Sequence, residues 1–200
     1  MDVAERACHL EAVEAGISGG RQDQFASSHG GFLRLDFRDP EADVQRLKLD
    51  PAFAADLARR TVLCYTSASH FSGTTIDRVM RAYERGDATV AGALHGLRDV
   101  AEAMAGALAA ADSGRVGELL TENWAHQQAL DPRMCTDEMA RLERAVIDAG
   151  ALGGKAAGSG AGGCMFFLGP DDPGPVIEAA RNCGVQLLPV RWAMYGVRLC

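Results

Sequence analysis

Two hundred residues carrying 20 Lys and Arg against 27 Asp and Glu have a formal net charge of −7. That balance speaks against a nucleic-acid partner, since affinity for a phosphate backbone comes largely from cations that release its counterions. A single phosphorylated substrate, which needs only a few local cations, is not excluded. The length allows one large domain or two small ones, with a core that requires neither disulfide nor metal. The six cysteines (Cys8, Cys64, Cys135, Cys164, Cys183 and Cys200) show no C-x-x-C or zinc spacing, so reduced thiols in a cytoplasmic protein are expected. Asp2, Glu5 and Arg6 interrupt any signal-peptide core. No apolar run approaches the roughly 20 residues of a membrane span, so no membrane partner is expected.

In chain order, Val3, Ala7, Leu10 and Glu14 fall at helical spacing, with Gly16 as a stop and no cap or lead-in ahead of the helix. Residues 16–31 read as a Gly/Ser-rich stretch around a short polar core. Phe32 to Phe37 alternates as a half-buried strand does, and 38–51 reads as a connector with a short strand at Val44 to Leu49. Thr61 to Thr66 is a strand, followed by the polar turn SASHFSG. Helices are predicted near 74–85, 88–111, 114–129 and 136–149, with Asp87, Ser113 and Thr136 as N-caps. A Gly-rich turn from 153 to 163 then leads into the strand CMFFLG. A helix near 174–183 and a last strand over 186–198 close the chain. This order predicts an α+β fold, an antiparallel sheet covered by helices.

Two segments carry the chemistry. In Glu11-x4-Gly16-x3-Gly20-x2-Asp23-Gln24, a carboxylate on a helix and another in a Gly turn are spaced to converge. Gly19 and Gly20 permit positive φ and close backbone approach. Arg21, two residues from Asp23, would hold that carboxylate ionised, and a charged Asp can orient a hydroxyl during phosphoryl transfer. Glu11 is a candidate Mg²⁺ ligand. A solvated helix face and an ordinary Asx turn explain the same residues.

The second segment is Gly158-Ser159-Gly160-Ala161-Gly162-Gly163. It fits G-x-G-x-x-G, but a dinucleotide site has a strand before it and a helix after. Here a helix precedes and a strand follows, which favours backbone packed against a ligand or a helix. Lys155 at its entrance could reach an anion or be a solvated loop lysine. The five histidines are dispersed, and His29 sits nearest the Asp motif. Arg191 and Arg198, on the predicted last strand, could meet a phosphate or simply alternate on an exposed face.

Together these residues resemble the GHMP kinases, and GGRQDQFASSHGGF is similar to the heptose-phosphate kinase version of their Asp motif. Phe71-Ser72-Gly73 and Asn123-Trp124 through Leu130 also read like that branch. The resemblance implies residues 1–55 as the end of the GHMP N-terminal domain and 56–200 as the C-terminal domain, with a ferredoxin-like antiparallel sheet. It implies an ATP-dependent sugar or heptose-phosphate kinase using ATP and Mg²⁺, with Asp23 and Arg21 catalytic and Glu11 binding the metal. Gly158, Ser159, Gly160, Ala161, Gly162 and Gly163 would line the nucleotide and substrate cleft beside Asp23. Gly19, Gly20, Gln24 and Lys155 would contact substrate.

The family's phosphate loop, Pro-x-x-x-Gly-Leu-Gly-Ser-Ser-Ala, occurs nowhere in the 200 residues. Backbone N–H groups at a helix start are what cradle the β/γ-phosphates. The expectation is therefore weak or no ATP binding by this chain alone. Self-association, a partner supplying the N-terminal half, or a non-catalytic role in binding a sugar phosphate or a protein all stay open.

Overall fold

In a computed structural model that describes residues 2–17, 19–38, 40–66 and 73–198, the first helix does have a cap. Asp2 accepts from the Val3 N–H at 2.7 Å and Glu5 accepts from the Asp2 N–H, a capping box ahead of α1 (Val3–His9). The helix widens into a π-helical turn, Leu10–Glu14, and ends at Gly16, whose φ is +64°. The expected Gly/Ser stretch instead holds a helix, α2 (Gln22–His29). An antiparallel hairpin follows, β1 (Leu33–Arg38) and β2 (Glu41–Arg46). Phe25 is buried, its ring edge-on to Phe37 at 5.4 Å.

This first unit comprises the first 49 residues and the segment after residue 190. The predicted last strand is cut short because Pro189 has no N–H for a ladder. Beyond it the backbone finds other partners: Gly31 N–H donates to Ala193 O at 2.8 Å and Val197 N–H to Ser28 O at 3.1 Å. A Cβ on Gly30 would lie 2.4 Å from the Tyr195 carbonyl carbon, so only glycine fits there. Arg191 and Arg198 are thus not strand residues, and Arg198 lies 4.0 Å over the Tyr195 ring.

The second unit is Asp50–Val190. The expected division after residue 55 falls inside a helix, α3 (Pro51–Arg60), where no element was expected. Asp50 caps it by accepting from the Phe53 N–H at 3.0 Å, and Pro51 occupies the first turn. Then come β3 (Thr61–Tyr65), α4 (Gly73–Glu84), α5 (Ala88–Ala109), α6 (Ser113–Leu130), a 3₁₀ turn (Pro132–Met134) and α7 (Asp137–Asp148). The unit closes with β4 (Gly153–Ala157), β5 (Cys164–Leu168), α8 (Gly174–Asn182) and β6 (Gln186–Leu188). Asp87 and Thr136 cap as expected. Asp112, not Ser113, caps α6, its carboxylate accepting from the Arg115 N–H. The SASHF residues of the predicted turn and Phe71-Ser72 lie outside the described residues.

The sheet order is β4-β5-β3-β6 with every neighbour antiparallel, the strand arrangement of a ferredoxin-like split βαβ unit. Register places Val62 opposite Phe167 and Cys64 opposite Met165. That face is buried under Met139, Leu142 and Val146 of α7 and Val176 and Ala180 of α8. Each buried Val, Leu, Met or Phe side chain among these contributes about 1.5–3 kcal/mol. GGKAA, expected as part of the turn, is the strand β4. Its glycines let α6 pack at backbone distance, since a Cβ on Gly153 would lie 1.8 Å from Gly117 O. Buried Arg60 ties the end of β5 to α6, donating to Gly169 O at 2.9 Å and Ser113 Oγ at 3.2 Å. Among the described residues, no helix is long and apolar enough to cross a membrane.

Candidate functional site

In the first unit, the π-helical turn brings half-buried Glu11 to the start of α2. Gln24 Nε2 donates to Glu11 Oε2, and Gln24 Oε1 is buried with no hydrogen-bond partner among the described residues. The two side chains border a cavity of about 20 Å³, lined also by Cys8, Gly19, Gly20 and Arg21. That is room for one water-sized group. Burial pushes the Cys8 thiol up, against the opposing pull of Arg21.

Gly19 and Gly20 do not take the positive φ that glycine permits. Positive φ falls at Gly16, while a Cβ on Gly19 would sit 3.6 Å from Glu11 Oε1. Gly19 thus keeps the carboxylate approachable.

Arg21 does not pair with Asp23. Its guanidinium donates to Pro40 O (3.0 Å) and Glu41 O (3.3 Å) and lies 4.9 Å over the Phe37 ring. The hairpin carbonyls take the cation because they present fixed acceptors, whereas Asp23 is exposed in the first turn of α2. A helix start favours a negative charge there. The structure therefore brings Glu11, Gly19, Gly20, Arg21 and Gln24 around one cavity and leaves Asp23 outside its lining. His29 stacks on Phe25, ring centroids 5.9 Å apart, with Nδ1 3.0 Å from Phe25 O.

One carboxylate and one unsatisfied amide oxygen suit Mg²⁺, a hard cation that brings its other oxygens as phosphate and water. They do not make a cage, and no group of three or more His, Cys, Asp or Glu gathers for a metal among the described residues.

In the second unit, Gly158 to Gly163 is a hairpin loop between β4 and β5, so a strand precedes it where a helix was expected. Five of its six residues have left-handed backbone: Gly158 (+92°), Gly160 (+78°), Ala161 (+62°), Gly162 (+117°) and Gly163 (+77°). For Ala161 this conformation costs roughly 1–2 kcal/mol, sustained only where surroundings over-determine it. They do so from three sides. Gln127 Nε2 of α6 donates to Gly158 O at 2.6 Å. Thr66, at the end of β3, donates its N–H (2.8 Å) and hydroxyl (2.9 Å) to Gly163 O. Ala161 N–H donates to Met134 O at 2.6 Å, and a Cβ on Gly160 would lie 2.4 Å from that same oxygen. The N–H groups of Ser159, Gly160 and Gly162 have no acceptor among the described residues. Successive free N–H groups on a turn are the anatomy of an anion-binding concavity.

Lys155 is on β4, opposite Phe166, and not at a loop entrance. Its Nζ donates to Ala156 O at 2.8 Å and lies 5.8 Å from the Phe166 ring centroid, and burial pulls its pKa down. Trp124 is in the core, its indole N–H donating to Glu143 at 3.0 Å. Gln127, Thr66 and Met134, which hold the loop, were not singled out from sequence. Gln127 lies in the Asn123 to Leu130 stretch, but the burial that marks its role shows only in the fold.

Residues 104–186 match the family of GHMP kinases, C-terminal part. The chain is 32% identical over 183 residues to the D-glycero-alpha-D-manno-heptose 7-phosphate kinase of Campylobacter jejuni, spanning 90% of this chain and 53% of that protein. A crystal structure of a Campylobacter jejuni protein assigned as a sugar kinase superposes with a TM-score of 0.70 at 30% identity, over 98% of this chain and 55% of that one. A D-glycero-D-manno-heptose 1-phosphate kinase from Bacteroides thetaiotaomicron shares the fold, with a TM-score of 0.68 at 23% identity, over 96% and 52% of the two chains. The chain spans about half the length of the curated relatives it matches.

Proposed function

We propose, from the match of residues 104–186 to the C-terminal part of the GHMP kinases and the likeness to a heptose 7-phosphate kinase, that the chain serves an ATP-dependent sugar kinase acting on a hydroxyl of a heptose phosphate or a related sugar. The observation that carries this reading is the loop Gly158 to Gly163, whose backbone is held from three sides while several N–H groups have no acceptor among the described residues. Rigid donors of that kind stabilise phosphoryl charge without reorganising when it develops.

Asp23, exposed at a helix start, orients the acceptor hydroxyl and takes its proton. Glu11 and Gln24 would hold Mg²⁺, which when bound neutralises charge on the nucleotide phosphates. Gly19 and Gly20 leave backbone room for substrate, and Arg21 fixes the turn to the hairpin, a positioning role. Lys155 acts through the sheet face it shares with Phe166. The family's phosphate loop would come from sequence outside these 200 residues, on the same chain or a partner, in the cytoplasm.

The test is a coupled assay of the complete kinase with Mg-ATP and heptose 7-phosphate or heptose 1-phosphate. Asp23→Asn is expected to lower kcat by 10² or more with little change in KM. Full turnover by that variant, or no turnover on any sugar phosphate by the parent, would overturn the reading.

A further inference from the structure

A basic pocket lies elsewhere in the second unit, lined by none of the residues assigned a role in the proposed reaction. It is formed by the end of α4, the start of α5 and the end of α6, with a volume of about 600 Å³, within the range of small-ligand sites. Arg78, Arg81, Arg85 and Arg133 line it, against Asp87 and Asp131. In a chain whose net charge is −7, such a local excess of cations runs against the average field.

The arrangement is built, not scattered. Arg78 and Arg81, three residues apart, share one face of α4, and Arg85 follows four residues on, in the turn just after the helix. Asp131 is buried, its side chain 6% exposed, and fixes two of the four arginines. Its carboxylate accepts from Arg78 Nε at 2.8 Å and from Arg133 Nε and Nη2 at 2.9 and 3.0 Å. Thr75 Oγ1 accepts from Arg78 Nη2 at 3.0 Å. Each of these guanidiniums has five donors and uses only two in these bonds. The Asp87 carboxylate is engaged in capping α5, accepting from Thr89 and Val90 N–H. No ion pair within the described residues engages Arg81 or Arg85. Beneath them Val79, Val90 and Met134 pack as a small core, which makes the floor rigid.

We propose that this pocket binds a phosphorylated small molecule, its phosphate gripped by Arg81 and Arg85 against the preset pair Arg78 and Arg133. Guanidinium forks match phosphate oxygens two at a time, and a pair locked by a buried carboxylate loses little freedom on binding. The pocket floor continues into the Gly-rich loop, because Met134, whose N–H donates to Asp131 O at 2.9 Å, offers its carbonyl to Ala161 N–H. Occupancy is therefore felt at the loop.

The experiment is an NMR titration of the isotope-labelled chain with glucose 6-phosphate and, separately, with inorganic phosphate, at matched ionic strength. Both ligands should shift the Arg78, Arg81, Arg85 and Arg133 signals, the sugar phosphate binding at least as tightly. The double variant Arg81→Gln/Arg85→Gln should weaken binding at least tenfold with Tm unchanged, while Arg98→Gln on α5 should not alter it. Three results would overturn the proposal: equal affinity in the double variant, shifts confined to the Gly158 to Gly163 amides, or a preference for the bare phosphate ion. None of these readouts requires kinase activity, so failure here leaves the kinase reading to its own assay.

Discussion

The segment from Glu11 to Gln24 and the loop from Gly158 to Gly163 are both rich in glycine, and both were singled out from sequence as functional. Their physics differs. In the first, Gly16 alone among the described residues has a positive φ; Gly19 serves by lacking a side chain next to Glu11, and Asp23 stands exposed. In the second, five left-handed residues are pinned by Gln127, Thr66 and Met134. One segment holds reactive side chains on a light scaffold. The other uses backbone as the functional surface, and the fold is committed to holding it still.

If that contrast is right, substitutions in the loop should be read in stability and those in the Glu11–Gln24 segment in activity. The largest effect is expected for Gly160→Val, which adds a Cβ where only 2.4 Å separates it from Met134 O and forbids the native φ. A loss of about 3 kcal/mol is expected from denaturant titration. A loss below 1 kcal/mol would mean that the loop is not held as described.

Next is Asp131→Asn, which removes charge-assisted bonds to Arg78 and Arg133 and should cost about 2 kcal/mol at neutral pH. Hydrogen bonds from Arg133 hold the Asp131 carboxyl well below the usual carboxylate range, against its burial and with Arg78 adding to the effect. The sign follows directly. On acidification the unfolded chain takes the proton first, near its ordinary pKa of about 3.9. Asp131's contribution is complete above that pH and drains away below it. The parent should therefore lose stability more steeply below about pH 4 than the Asn variant. Parallel curves would contradict the assignment.

Ala161→Gly should act in the opposite direction, relieving the left-handed Ala161 and raising stability by about 0.5–1 kcal/mol. Thermal unfolding would detect a Tm rise, and a drop would show that the alanine methyl packs usefully.

The smallest effect on stability is expected for Asp23→Asn, within about 0.5 kcal/mol, since the residue is exposed. A larger change, measured by the same titration, would make Asp23 structural and remove the contrast.

Elements with local signals could be read from the chain. Asp87 and Thr136 cap the helices that follow them, and the alternation of Thr61 to Thr66 and the apolar run at Cys164 give neighbouring strands of one antiparallel sheet. The Asp50-Pro51 start of α3 was equally local and was passed over. Other features were decided only in three dimensions. GGKAA has poor strand propensity and is a strand because β5 pairs with it and Gly117 of α6 lies against Gly153. Arg21 stands two residues from Asp23, yet its partners are carbonyls 19 and 20 residues away. Arg78 meets Asp131 across 53 residues and, through it, Arg133. The physical reason is common to all three. Caps and alternation are written within a few residues of backbone, whereas an acceptor brought up by another element leaves no mark on the sequence around its donor. The residue types that could do chemistry were determined by sequence, and which of them meet was determined by packing.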